Sequence, residues 1–288
     1  MILTETYTLT NGVKIPKLGL GTWLLDDTQA SEATRQAIQL GYRLIDTAQA
    51  YGNEAGVGEG VRTCGVPRTD LFIASKVAAE HKTYDSAAAS IDGTLQKMGL
   101  EYLDLMIIHS PQPWKAVNQS ADRYEEGNRE AWRALEDAYK EGKLRAIGVS
   151  NFIESDIENI LAGCRIQPMV NQLLPHITNT NFGLIDYCQR HGIRVEAYSP
   201  IAHGEALKND KIAAMAKKYQ VSPAQLCLRY DLQLGAVVLP KTANPAHMQT
   251  NAELDFVIAD ADMDELKALP HIESYGADSH FPVFGGKL

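Results

Sequence analysis

The sequence has few cysteines, and their spacing excludes a cysteine-based metal site. The four are Cys64, Cys164, Cys188 and Cys227; they are far apart in 288 residues and form no CxxC pair. No cluster of metal ligands is recognisable elsewhere, so no metal is expected. In a long chain without a secretory signal, a few widely spaced cysteines predict free thiols in a reducing compartment.

Long apolar runs and an excess of positive charge are also missing. The opening MILTETYTLTNG lacks the charged and apolar regions of a signal peptide. No apolar run approaches the roughly 18 residues that a membrane helix needs. The formal net charge of −9 argues against non-specific binding to nucleic acid. We therefore expect a cytoplasmic protein with neither membrane nor nucleic-acid partners. The oligomeric state cannot be read from the sequence, and a monomer is the default expectation.

What is present is a regular alternation of short β-like runs with stretches of helical composition. Because parallel strands buried on both faces read as near-continuous apolar runs, eight such units predict an α/β fold, a (β/α)8 TIM barrel. No linker or break in composition interrupts the pattern, so residues 1–288 are expected to form one domain. The eight runs are LGLG, YRLID, LFIASK, LDLMIIHS, LRAIGVSN, PMVNQ, IRVEAYSP and GAVVLPK.

Local signals refine this prediction at the start of the chain. YTLTNGVKIP has two short alternating runs around Asn11-Gly12, which predicts an N-terminal β-hairpin that closes the bottom of the barrel. SEATRQAIQLG predicts a helix ending at Gly41, with Ala33, Ala37, Ile38 and Leu40 on its buried side.

Two patterns typical of dinucleotide-binding enzymes are weak here. A doubly wound sheet would need a glycine-rich turn after an early strand, but in GVGEGV, residues 56–61, Val61 stands where the third glycine belongs. The stretch also falls inside a predicted helix. The pair Tyr139 and Lys143 has the Tyr-x-x-x-Lys spacing of short-chain dehydrogenases, yet it spans a predicted helix end at Gly142.

Polar residues end seven of the eight predicted strands. In a (β/α)8 barrel the active site lies at the C-terminal ends of the strands, and neighbouring strands are about 4.8 Å apart. Asp46, Lys76 and His109, on adjacent strands, should therefore converge at one rim, with Tyr51 on the loop above them. The polar ends are Asp46, Lys76, His109, Ser150-Asn151, Asn171-Gln172, Tyr198-Ser199 and Lys241-Thr242.

These four side chains suit the reduction of a carbonyl group. A carboxylate helps a buried lysine keep its proton, and the ammonium in turn should lower the pKa of a neighbouring phenol from its usual value of about 10. Tyr51 would then protonate the carbonyl oxygen, and His109 would orient it through a hydrogen bond.

The chain resembles the aldo-keto reductases along nearly its whole length. The resemblance rests on LGLGTW, DTAQAYGNE, IASK, IIHSPQPW, GKLRAIGVSNF, VNQ, AYSPI and LPKT. It implies carbonyl reduction with NADPH, with Asp46, Tyr51, Lys76 and His109 as a catalytic tetrad. Prokaryotic-type members that reduce 2,5-diketo-gluconate or methylglyoxal are similar. Small aldehydes, α-dicarbonyls or keto-sugars are therefore the implied substrates.

The resemblance also implies a cofactor extended across the strand ends. Ser150, Asn151 and Gln172 would hold the carboxamide, and Tyr198 would stack on the nicotinamide ring. The phosphates and adenosine would be followed by Ser199, Ile201, Lys241, Thr242, His247 and Asn251. The segment KTANPAHMQTN departs from the family pattern, because His247 stands near the position of an arginine that grips the 2′-phosphate. NADH is therefore a possible second cofactor.

The substrate side is expected to include Trp23, Trp114 and Ser110, besides Tyr51 and His109. Ser110 stands where many members have tryptophan, which predicts a roomier or more polar pocket. The tail SYGADSHFPVFGGKL is equally compatible with a free end and with Phe281 or Phe284 lying over the pocket. Two other functions stay open: a non-catalytic NADP-binding barrel, and an aldolase using Lys76 or Lys241 as a Schiff base.

Overall fold

The computed structural model describes residues 1–288, and its main feature is an eight-stranded parallel sheet whose strands follow one another in chain order. Its first and last strands meet, because Leu18 bridges Val238 and Gly21 bridges Lys241. The Gly21 amide donates to the Pro240 carbonyl at 3.0 Å. The sheet therefore closes into the predicted (β/α)8 barrel.

Ten strands and ten α-helices make up the regular structure. The strands are β1 Thr6–Thr8, β2 Lys14–Pro16, β3 Gly19–Gly21, β4 Leu44–Asp46, β5 Phe72–Val77, β6 Leu105–Ile108, β7 Ile147–Ser150, β8 Val170–Leu173, β9 Arg194–Tyr198 and β10 Val237–Leu239. The helices are α1 Asp27–Gln39, α2 Glu54–Thr63, α3 Tyr84–Met98, α4 Glu125–Lys140, α5 Glu154–Leu161, α6 Phe182–Arg190, α7 Asp210–Lys218, α8 Pro223–Gln233, α9 Pro245–Asn251 and α10 Asp260–Lys267.

The hairpin of β1 and β2 lies at the N-terminal side of the barrel, as predicted. Its turn contains Gly12 at φ 86°, a conformation that favours glycine. Asn11 Nδ2 donates to the Arg145 carbonyl at 2.8 Å, just before β7. The guanidinium of Arg194, the first residue of β9, lies 4.1 Å from the centre of the Tyr7 ring. These contacts tie the hairpin to the starts of the strands and leave their C-terminal ends open.

Helix α1 shows where the helical pattern holds and where it fails. Asp26 caps its first turn by accepting from the Gln29 amide at 2.8 Å, and Ala33, Ala37 and Ile38 are buried as predicted. Leu40, expected on the same side of the helix, does not share this burial: the residue is 37% exposed. The helix ends at Gln39, so Leu40 leaves the buried stripe as the chain turns away.

The glycines of GVGEGV lie in α2 and serve helix packing. A Cβ at Gly56 would stand 2.1 Å from the Asp27 carbonyl oxygen, and one at Gly58 would stand 2.2 Å from the Met98 carbonyl oxygen. The stretch is thus a contact surface for neighbouring segments. Tyr139 and Lys143 do not share a helix, because α4 ends at Lys140.

The interior holds two apolar clusters, and the smaller one fixes the end of the chain. It joins buried residues of α7, α8 and α10 to the C-terminal tail, including Met215, Leu226, Leu266, Tyr275 and Phe284. All four cysteines are free. No helix combines the length and apolar character required to cross a bilayer. No group of three or more His, Cys, Asp or Glu side chains could hold a metal ion.

Candidate active site

The four side chains expected to form the tetrad lie together at the C-terminal ends of adjacent strands. Asp46 ends β4, Lys76 lies in β5, His109 follows β6, and Tyr51 ends a short 3-10 helix, Gln49–Tyr51. Lys76 Nζ lies 2.6 Å from Asp46 Oδ1 and donates to the Thr47 carbonyl at 2.8 Å. It lies 4.9 Å from the centre of the Tyr51 ring. The parallel register of β4 with β5 and of β5 with β6 brings these residues to one rim.

Burial dominates the electrostatics of this group. Lys76 is 0% exposed. Burial lowers the pKa of Lys76, but the attraction of Asp46 and Tyr51 outweighs it, so that the net pKa is raised. The lysine is therefore a stable ammonium ion held by a carboxylate.

The expected lowering of the Tyr51 pKa is wrong. Burial raises the pKa of Tyr51 above its usual value, and the Lys76 ammonium opposes this effect without reversing it. The free-energy cost of desolvating a phenolate inside the protein exceeds the stabilisation that a single neighbouring cation provides. Tyr51 consequently keeps its proton throughout the neutral range and is a proton donor rather than a phenolate.

His109 is neutral and faces the same cavity. Burial, reinforced by the positive charge of Lys76, holds the pKa of His109 well below its usual range. Its ring centre is 5.6 Å from that of Tyr51 and 5.0 Å from that of Trp114. Its Nδ1 is buried without a partner, and no protein group bonds to Nε2. The ring can therefore present Nε2 to a ligand.

Tyr51 and His109, but not Asp46 or Lys76, border a cavity of about 220 Å³ at the mouth of the barrel. Trp23 and Trp114 lie in its wall, as the sequence suggested. Ser110 does not: it is buried, and its hydroxyl accepts from the Gln112 amide at 3.3 Å. The wall is formed by Trp23, Ala50, Tyr51, His109, Trp114, Ser150, Asn151, Gln172, Tyr198, Phe281, Pro282, Val283 and Leu288.

Four of the expected cofactor residues form the polar side of this cavity. Tyr198 Oη donates to Asn151 Oδ1 at 2.7 Å, which fixes the plane of the tyrosine ring. Gln172 Nε2 donates to Asp46 Oδ2 at 3.1 Å and to Glu196 Oε2 at 2.9 Å. Both amide hydrogens of Gln172 are thus used, and its carbonyl oxygen remains as an acceptor. A flat aromatic ring beside an oriented amide fits a nicotinamide ring with its carboxamide.

The residues expected to follow the phosphates and adenosine lie outside the cavity wall. Ser199 Oγ is 3.1 Å from His203 Nε2, and Ile201 begins the next turn. Lys241 is exposed and follows β10, and the Thr242 hydroxyl accepts from the Asn244 amide at 3.0 Å. His247 is exposed in the first turns of α9, whereas Asn251, at its end, is buried. Lys241, Thr242 and His247 are thus at least partly exposed in the segment that follows β10.

The C-terminal tail covers the cavity. The Phe281 ring lies 4.8 Å from the Trp23 ring, and Pro282, Val283 and Leu288 complete that wall. Asn118 Nδ2 holds the tail by donating to the carbonyls of Pro282 at 2.8 Å and Gly286 at 3.0 Å. Of the two states that the sequence left open, the structure has the tail over the pocket.

Two polar residues of this region were not singled out from the sequence. Glu196 lies in β9 between Val195 and Ala197, and a charged residue inside an apolar strand was an available signal. His203 Nδ1 lies 2.7 Å from Asp278 Oδ2, which links the β9 loop to the tail. No local sequence pattern joins residues so far apart.

Known proteins resemble the chain over most of its length. A family model described as the aldo/keto reductase family matches residues 17–270. A glyoxal reductase of Bacillus subtilis (strain 168) is 42% identical over 276 residues, covering 95% of this chain and 96% of that protein. A 9,11-endoperoxide prostaglandin H2 reductase of Trypanosoma cruzi is 39% identical, covering 94% and 93%. A crystal structure of an aldo/keto reductase from Brucella melitensis has a TM-score of 0.84 at 34% identity, covering 91% of this chain and 98% of that one.

Proposed function

The chain belongs to the aldo/keto reductase family and is an oxidoreductase, and on this basis we propose that it reduces small carbonyl compounds with Tyr51 as the proton donor. The observation that carries the proposal is the buried contact of 2.6 Å between Lys76 Nζ and Asp46 Oδ1, beneath Tyr51 and beside His109. A cation held in this position stabilises the negative charge that Tyr51 acquires when it gives up its proton.

The proton step follows from the charges around Tyr51. Because its pKa is raised, the phenol begins the reaction protonated. As negative charge develops on the substrate oxygen, Tyr51 Oη donates its proton to that oxygen. The Lys76 ammonium, paired with Asp46, stabilises the phenolate left behind. The transient phenolate is thus supported by Lys76, although the resting state is the phenol.

His109 orients the substrate in this mechanism. A neutral imidazole that carries its proton on Nε2 donates one hydrogen bond to the carbonyl oxygen. A permanently charged imidazolium would instead repel the Lys76 ammonium, and the lowered pKa of His109 avoids that state. The substrate oxygen would then receive hydrogen bonds from His109 and Tyr51 together, which aligns its carbon for reduction.

The donor of reducing equivalents is proposed to be NADPH, with NADH as a possible second cofactor. When bound, the reduced nicotinamide supplies a hydride to the carbonyl carbon. Gln172, Asn151 and Ser150 would hold its carboxamide and Tyr198 its ring. Ser199, Ile201, Lys241, Thr242, His247 and Asn251 would follow the phosphates and adenosine. Lys241 supplies a cation for the 2′-phosphate, but no arginine accompanies it in this segment.

The cavity favours small carbonyl compounds that carry few or no hydroxyl groups. Eight of its 13 lining residues are hydrophobic, among them Trp23, Trp114 and the tail residues Phe281 and Val283. This wall suits small aldehydes and α-dicarbonyls better than hydroxyl-rich keto-sugars, since a sugar would leave polar groups without partners. The name of the Bacillus subtilis relative, a glyoxal reductase, agrees with this substrate class. The single-domain, monomeric and cytoplasmic expectations stay predictions.

The aldolase alternative has less support. A Schiff-base lysine needs a lowered pKa, whereas the pKa of Lys76 is raised. Burial lowers the pKa of Lys241, the other candidate, but Lys241 does not line the cavity. The pKa of Lys82 is lowered to about 7 by burial, but Lys82 does not line the cavity; it donates to the Ser110 carbonyl and to Asn128. A non-catalytic NADP-binding role would leave the complete tetrad unexplained.

The direct test is NADPH oxidation with glyoxal or methylglyoxal, comparing wild type with Tyr51→Phe. The phenylalanine keeps the ring but removes the proton donor, so kcat should fall by about 10² to 10⁴ while the Kd for NADPH changes little. A Tyr51→Phe enzyme that keeps more than half of the wild-type rate in a single turnover would contradict the assignment. Borohydride trapping of a covalent lysine adduct would instead favour the aldolase.

A further inference from the structure

A second buried carboxyl group is joined to the tetrad through one shared hydrogen-bond donor, the amide of Gln172. Glu196 lies in β9 and is 0% exposed. The register pairs it with Gln172 on β8 and with the apolar Val237 on β10. Glu196 Oε2 accepts from Gln172 Nε2 at 2.9 Å, and the same nitrogen donates to Asp46 Oδ2 at 3.1 Å. One amide group therefore joins two carboxyl groups.

The charges in this space do not balance if Glu196 is ionised. The charged groups that face it are Asp46 on β4 and Lys76 on β5; Gln172 and Val237, on the adjoining strands, are neutral. Lys76 is already paired with Asp46, and Glu196 makes no ion pair of its own. Its Oε1 is buried without a partner. A second carboxylate at this place would have one cation to share with the first.

We propose that Glu196 is a positioning residue whose protonation controls the acid strength of Tyr51 and fixes the amide of Gln172. This inference rests on the proposed function. A neutral Glu196 leaves the Lys76 ammonium to Asp46 and Tyr51, whereas an ionised Glu196 adds negative charge beside them. That charge disfavours the Tyr51 phenolate and makes the phenol a weaker proton donor.

The expected protonation range coincides with neutral pH. Burial, together with the charge of Asp46, raises the pKa of Glu196 to about 7. Wild-type kcat should therefore fall as the pH rises through this value, well below the range where Tyr51 itself loses its proton. Through the Brønsted response of a general acid, we expect about a threefold to tenfold fall.

The test is the pH profile of kcat in single turnovers for wild type, Glu196→Gln and a control, Asp231→Asn. Glutamine keeps the size and polarity of Glu196 but cannot ionise, so the fall near neutral pH should disappear. At about pH 8 the variant should exceed wild type by about threefold to tenfold. Asp231, in α8, is also a fully buried carboxyl, but it does not line the cavity. Its variant should keep the wild-type profile.

Infrared spectra recorded along a pH titration provide a second measurement that does not depend on turnover. Wild type and Asp231→Asn should both show a protonated carboxyl band that is lost near neutral pH. This band should be missing from Glu196→Gln, which keeps only the separate band of the buried Asp231 carboxyl. An unchanged rate profile in Glu196→Gln, or no carboxyl titration near neutral pH in Asp231→Asn, would overturn the proposal. Failure of wild type to reduce any carbonyl would refute the proposed function, while the infrared titration would still decide the state of Glu196.

Discussion

Replacement of Lys76 by methionine tests the electrostatic centre of the site most directly. The ammonium has three neighbours: Asp46 Oδ1 at 2.6 Å, the Thr47 carbonyl at 2.8 Å and the Tyr51 ring at 4.9 Å. Methionine fills a similar volume without charge. The carboxylate of Asp46, a residue only 4% exposed, would keep a single hydrogen bond, the one from Gln172.

The expected loss of stability comes from the carboxylate left behind. Breaking a buried ion pair by removing one partner typically costs about 3–5 kcal/mol, because an uncompensated charge stays in the interior. We expect Lys76→Met to lose about this much free energy of unfolding at neutral pH. The measurement is urea unfolding of wild type and variant at neutral pH.

Activity should fail for a separate reason, and a double variant separates the two effects. Without Lys76 the phenolate of Tyr51 loses its cation, so kcat should fall by about 10² to 10⁴. Asp46→Asn combined with Lys76→Met removes the stranded charge and should recover much of the stability, but no activity. If Lys76→Met unfolded like wild type and turned over normally with an unchanged pH profile, the electrostatic account of this site would be refuted.

Three further predictions concern the cofactor and the fold. His247→Arg should tighten the binding of NADPH by about tenfold, since a hydrogen bond to a charged group is worth about 1.5–3 kcal/mol. The affinity for NADH, measured in the same fluorescence titrations, should stay nearly unchanged. If the variant binds NADPH no better than wild type, residue 247 does not lie at the 2′-phosphate. Burial raises the pKa of Asp231 well above its usual value, so the native state binds the extra proton and stability falls as pH rises. The free energy of unfolding of Asp231→Asn should therefore exceed that of wild type by about 1–3 kcal/mol at pH 8, and the difference should shrink toward pH 4. Equal free energies of unfolding at pH 8 would contradict this prediction. Gly93 lies in α3 with open space around it, so Gly93→Ala should raise the free energy of unfolding by about 0.5–1 kcal/mol. Gly58→Ala should instead unfold much more easily, because its Cβ meets the Met98 carbonyl. Similar thermal midpoints for the two variants would contradict the packing role of α2.

The sequence alone determined the barrel and the four side chains that meet at its rim. Strand and helix periodicity are local properties, and a (β/α)8 barrel places every strand end at the same rim. Asp46, Lys76 and His109 could therefore be brought together without coordinates, and Tyr51 followed from its distance along the loop. The hairpin around Gly12 was equally local. The resemblance to aldo-keto reductases supplied the roles proposed for residues such as Ser150 and Lys241, which spacing alone does not give.

Only the tertiary structure decided matters that depend on contacts between distant segments or on burial. Whether the tail covers the pocket depends on Asn118 holding Pro282, 164 positions away. The pKa of Tyr51 depends on the balance between desolvation and one cation, and the expectation from charge alone had the wrong sign. The Ser110 hydroxyl contacts Gln112 of its own loop and does not face the cavity, and Leu40 lies at the surface because α1 ends at Gln39. Glu196 lies near Asp46 because of the order of the strands around the barrel. A closed sheet brings together inward-facing side chains of strands that are far apart in the chain.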